Sequence, residues 1–146
     1  MNIIQANIIL KMGVVLFSTK QKSVSEIGIS LNEIYPDEEL TSGGYWLFDW
    51  QTNECYYSYN FLNSLGYIKS EVTNNTDFFY KVADNLHLKE GFKMIEELIL
   101  NKSEDCFVNY LNYTHKNGEI IKIECSGVVL YKNDKPVMVL GAHILL

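Results

Sequence analysis

The stretch "GYWLFDW", residues 44–50, is too apolar for a strand with one wet face. A half-buried strand alternates apolar and polar side chains, because successive residues point to opposite faces. Here Trp46, Phe48 and Trp50 share one face, and Tyr45, Leu47 and Asp49 share the other. Both sets carry large apolar groups, so the fold must cover this strand twice. A sheet with helices packed on one side covers only one face. The second cover must come from elsewhere in the chain or from another copy of it.

The rest of the chain supplies the partners. "CYYS", after the tight connection "QTNE", reads as the returning strand of a hairpin. Three longer strand signals close the sequence: "DCFVNYLNYTH", "EIIKIECSGVVLY" and "VMVLGAHILL". The segments "KNG" and "KNDKP" separate them with turn chemistry. Between the hairpin and these strands the pattern is helical. "YNFLNSLGY" predicts a short helix with Phe61, Leu62 and Leu65 inward and Gly66 at its C-terminal end. Residues 68–85 predict irregular chain with short helical turns. "LHLKEGFKMIEELILNK" predicts a long helix with Leu88, Phe92, Ile95 and Ile99 on one stripe. The expectation is an α+β domain over residues 44–146, a five-stranded antiparallel sheet with helices on one face.

Residues 1–43 are then an N-terminal helical extension and linker. Ile4, Ile8, Met12 and Val15 recur at helical steps, although Val14 to Phe17 also suit a strand, so residues 1–20 stay open between the two. "SVSE", residues 23–26, has the form of a capping box. Val24, Ile27, Leu31 and Ile34 follow at helical spacing, and Pro36 ends the pattern. This extension is expected to pack on the outer sheet face or at a dimer interface. The candidate dimer contacts are Ile4, Ile8, Met12, Val15, Ile27, Leu31 and Ile34, with Tyr45 and Leu47 from the first strand.

Composition excludes several functions. The net charge of the 146 residues is −6, and all twelve basic residues are lysines. No guanidinium fork is present for phosphate or guanine, so neither nucleic acid nor an anionic membrane surface is an expected partner. The most apolar N-terminal run, residues 8–17, is interrupted by Lys11 and falls short of the ~20 residues of a membrane span. Cys55, Cys106 and Cys125 lack metal-ligand spacing and are expected as reduced core or strand residues of a cytoplasmic protein. His87, His115 and His143 are equally dispersed. Glu96 and Glu97 are adjacent and point in different directions on the helix. No nucleophile elbow, phosphate-binding loop or HExxH is present, so no catalysis is expected.

Taken in succession, these motifs resemble the PAS family, in particular bacterial sensory domains that open with a Trp-rich strand. "GYWLFDWQTNECYYSYNFLNSLGY" is similar to that opening, and "YTHKNGEIIKIECSG" to the family's turn between late strands. "GVVLYKNDKPVMVLG" is similar to its final hairpin, with Gly127, Pro136 and Gly141 at the expected intervals. The resemblance covers residues 44–146. Asn112 stands where an arginine is usual, and Lys122 or Ile123 where an aromatic is common. The usual Asp-Ile-Thr type output motif is not seen at "GAHILL", so the chain is expected either to act by itself or to come from a longer protein.

The resemblance implies a site between helices and sheet. Its candidate lining is Trp46, Phe48, Tyr57, Tyr110, Ile123 and His143 from strands, with Leu65, Phe79, Phe92 and Ile95 from helices. Such a lining favours a flat, mostly apolar ligand; alternatively, the same rings fill the core and leave no room. "VADNLHLKEGF" lacks the reactive cysteine of photochemical flavin domains. A haem ligand would have to be His87 or Lys89. No cofactor is assigned, with non-covalent flavin and haem left open and unsupported. The resemblance implies a cytoplasmic sensory or regulatory module acting in signal transduction. It is expected as a homodimer, with a small apolar ligand and a signalling protein as further partners. The alternative is a ligand-free protein–protein interaction domain.

Overall fold

The computed structural model describes residues 23–34 and 42–146. Its elements are α1 (Val24–Ile34), β1 (Tyr45–Phe48), β2 (Cys55–Tyr57), α2 (Tyr59–Ser64), a 3₁₀ turn (Lys69–Glu71), α3 (Asp77–Val82), α4 (Asn85–Leu100), β3 (Phe107–Thr114), β4 (Ile120–Lys132) and β5 (Lys135–Leu145). The strands form one antiparallel sheet in the order β2-β1-β5-β4-β3. The expected α+β architecture is present, with the helical insertion after the second strand.

Local chemistry sets the element ends. Asp49 stops β1: its Oδ1 accepts from the backbone N–H of Gln51 (2.9 Å) and Thr52 (3.1 Å). This Asx turn supplies the strand end with two backbone partners. Ser58 caps α2 and also accepts from Tyr45 N (2.9 Å), so the helix start is tied to β1. The β4–β5 turn holds Asn133 (φ 52°) and Asp134 (φ 62°) in the left-handed region. Two such residues in succession match the twist of the flanking strands, and Asn and Asp tolerate that conformation best after glycine.

All four residues of β1 are buried, and two separate apolar clusters bury them. On the inner face, Trp46 and Phe48 join Phe61, Phe78, Phe79, Leu88 and Ile95 from the helices. On the outer face, Tyr45 and Leu47 pack with Tyr56, Met138 and Leu140 beneath Val24, Ile27 and Leu31 of α1. The second cover is therefore a helix of the same chain. Its first turn is closed by Ser23, whose Oγ accepts from Glu26 N (3.2 Å) and donates to the Glu26 carboxylate (3.3 Å). Gly28 permits the approach: a Cβ there would stand 2.3 Å from the Tyr56 ring.

Four of the expected dimer contacts, Ile27, Leu31, Tyr45 and Leu47, are thus consumed inside one chain. Ile34 closes α1. Ile4, Ile8, Met12 and Val15 lie outside the described residues, as do the question of residues 1–20 and the stop at Pro36.

Candidate functional site

One row of side chains crosses the inner face of the sheet. In register it reads Tyr57, Trp46, Gly141, Gly127, Phe107. The two central glycines make room for the rings beside them. A Cβ at Gly141 would stand 2.3 Å from the Trp46 indole, and one at Gly127 would stand 2.3 Å from the Phe107 ring. Both rings fold inward over bare backbone and form the floor of a cavity. Helix α4 closes it from above with Leu88, Gly91, Phe92 and Ile95, because these positions recur on one helical stripe. Phe48, Phe79, Asn109, Leu111, Tyr113 and Cys125 complete the wall.

The cavity volume is about 30 Å³. That is room for a water-sized guest, far below the ~300–1,000 Å³ of an ordinary small-molecule site. Its amide, Asn109, donates from Nδ2 to His87 O (3.0 Å) and so fastens β3 to the start of α4. Gly91 faces that amide, where a Cβ would come within 2.6 Å of Nδ2.

Trp46 is fixed by a histidine behind it. Its Nε1–H donates to His143 Nε2 (3.1 Å), which places the imidazole proton on Nδ1. The imidazole lies against the rings of Phe61 (4.8 Å) and Tyr113 (5.4 Å). Complete burial pushes its pKa down to about 3, so it is neutral at ordinary pH. Burial likewise pushes the Cys55 and Cys125 thiols up to about 12. Neither is a thiolate near neutrality. Cys106 departs from expectation by being exposed.

At the start of α4, Asp84 caps the helix, accepting from His87 N (3.2 Å), and also accepts from Asn112 N on β3 (2.9 Å). The His87 imidazole pairs with the same carboxylate through Nδ1. This carboxylate raises the His87 pKa. Partial burial works upward on Asp84, but its bonds from Asn112 and His87 together hold it below the usual carboxylate value. His87 is absent from the cavity wall, and Lys89 is exposed. The residues as placed do not fit a haem, and a 30 Å³ cavity does not fit a flavin ring system.

Of the residues expected at the site, Trp46, Phe48, Phe79, Phe92 and Ile95 line the cavity. Tyr57, Leu65, Ile123 and His143 are buried on the same side without reaching its wall. Tyr110 is a correction. It is 57% exposed on the opposite face, where its hydroxyl donates to Glu124 Oε1 (3.0 Å). A strand slip of one residue turns every side chain to the other face. The inward set of β3 is Phe107, Asn109, Leu111 and Tyr113. That phase was available in the sequence, since it carries three large apolar residues against two for the other. Gly91 and Asn109 gave no such signal, being a small residue on a helix and a polar one on a strand.

No protein-family model matches the chain, and no curated protein is significantly similar to it. Solved structures are similar in fold. A sensory box histidine kinase/response regulator from Burkholderia thailandensis E264 superposes with a TM-score of 0.58 at 16% identity, over 73% of this chain and 78% of that one. A light-oxygen-voltage domain studied with a flavin analogue gives 0.55 at 19% identity, over 70% and 76%. A tryptophan-to-alanine variant of the PAS-B domain of Drosophila melanogaster Cycle, with bound glycerol, gives 0.56 at 7% identity, over 70% and 98%.

Proposed function

We propose, with the PAS fold of residues 44–146 as premise, that this chain is a sensory or regulatory signalling module. The observation that carries the reading is the double burial of β1. Trp46 and Phe48 wall the interior cavity, while Tyr45 and Leu47 pack against α1. Alternate residues of one short strand therefore touch the place where a guest would sit and the helix that would carry the output. A guest larger than water must displace Trp46, Phe107 or Phe92. Close-packed interiors answer such displacement by switching between discrete arrangements, and not by yielding smoothly. Neighbours named for a sensory box kinase and for light-oxygen-voltage sensing support the reading.

In this proposal the guest is a small apolar molecule, and the chain performs no catalysis. The module works in the cytoplasm as a homodimer and passes its state to a signalling protein. Among the described residues no helix is long and apolar enough to cross a membrane. A second copy would meet the outer sheet surface where Val108 and Tyr110 are exposed. The second reading, a ligand-free protein–protein interaction domain, is favoured by the small volume of the cavity.

Native mass spectrometry with an absorption spectrum of the same sample separates the two. A dimer carrying extra mass supports the sensor. A colourless dimer of bare chains supports the interaction domain. A bare monomer at micromolar concentration contradicts the dimer in both.

A further inference from the structure

A second hollow, of about 310 Å³, opens on the surface beside the interior cavity and shares only Phe48 and Phe92 with it. Four aromatic rings line it: Phe48, Trp50, Tyr80 and Phe92. Phe48 stands nearly at right angles to both Trp50 (5.7 Å, 73°) and Phe92 (6.2 Å, 71°), and Tyr80 stacks on Phe92 (6.0 Å, 20°). Glu96 is the lining residue that carries a formal charge. It follows Phe92 by four residues on α4, so its carboxylate rises from the same helical face one turn along. The two polar groups at the edge satisfy each other, with Thr76 Oγ1 donating to Asn53 Oδ1 (3.2 Å).

These parts select one ligand chemistry. An anion meets the carboxylate and the negative faces of the rings. A neutral apolar molecule leaves the carboxylate unused. A cation wrapped in methyl groups uses both, since ring faces attract it and the carboxylate supplies the counter-charge. The net charge of −6 raises the local concentration of cations further. We propose that the hollow formed by Phe48, Trp50, Tyr80, Phe92 and Glu96 binds a small alkylated ammonium cation at the surface, outside the interior cavity.

The two tryptophans give the test. Trp50 lines the hollow, whereas the Trp46 indole N–H is held by His143. In ¹⁵N-labelled protein, choline is titrated against 3,3-dimethyl-1-butanol, its neutral isostere, at constant ionic strength. Choline should shift the Trp50 indole signal saturably and leave that of Trp46 in place. The alcohol should bind at least about fivefold more weakly. Glu96→Gln and Tyr80→Ala should each weaken choline several-fold, with the unmoved Trp46 signal reporting an intact fold. Equal affinity for choline and the alcohol would overturn the proposal, as would choline binding indifferent to Glu96→Gln. The absence of a saturable shift well above millimolar choline would overturn it too.

Discussion

The bond from Trp46 to His143 places a titratable group inside the inner core, and it makes the fold sensitive to acid. His143 is neutral when buried, with a pKa near 3, against about 6.5 in the unfolded chain. Below pH 6.5 the unfolded chain binds a proton that the folded one refuses. Stability from this group is therefore complete above pH 6.5 and falls by about 1.4 kcal/mol per pH unit from there toward pH 3. His87 has the opposite sign. Its raised pKa contributes stability that is complete below 6.5 and is lost as pH rises through the folded value. It adds no slope between pH 5 and 6.5. Urea unfolding should show the wild type losing about 1.6 kcal/mol between pH 6.5 and 5. His143→Gln, which keeps an acceptor for Trp46 but cannot titrate, should lose much less; an equal loss would place the acid sensitivity elsewhere. None of this partnership was legible in the sequence beyond His143 facing inward. Residues 46 and 143 meet only because β1 pairs with β5, which is a consequence of topology and not of spacing.

At the scale of elements, the docking of α1 onto the sheet rests on Gly28. Replacing it with Val puts a branched side chain where even a Cβ comes within 2.3 Å of Tyr56. Overpacking of this kind costs about 1–3 kcal/mol. The expected outcome is faster amide exchange through Val24–Leu31 with the β3–β4 hairpin unchanged. Uniform protection in the variant would mean that α1 is not held by this contact. Elements with strong periodicity were readable in advance: α1 from its capping box and its Val24, Ile27, Leu31 stripe, and α4 from its apolar stripe. The phase of β3 was only weakly marked, because Tyr110 and Tyr113 lie on opposite faces and the choice rests on three large apolar residues against two. A tyrosine on the outer face keeps its hydroxyl in water and stacks its ring on the sheet, so it satisfies either reading until pairing with β4 fixes the register.

For the whole molecule, the doubly covered first strand implies that the domain does not stand without its extension. Removing residues 1–35 uncovers Tyr45, Leu47, Tyr56 and Leu140, and discards Val24, Ile27 and Leu31 at about 2 kcal/mol each. A loss of that size is comparable to the total stability of a domain. The shortened chain should aggregate, or its denaturation midpoint should fall by more than half. A soluble fragment of unchanged stability would contradict the role given to α1. The same architecture makes β1 the link between interior and extension, and methyl NMR tests that link directly. Ile95→Ala enlarges the cavity from the α4 side, away from α1, enough to admit xenon. The variant is then compared with itself, with and without xenon. Loading the interior should shift the Trp46 indole together with the methyl signals of Val24, Ile27 and Leu31, while the turn at Asn117 and Gly118 stays in place. If xenon moves the interior signals and α1 does not respond, the strand does not connect the two.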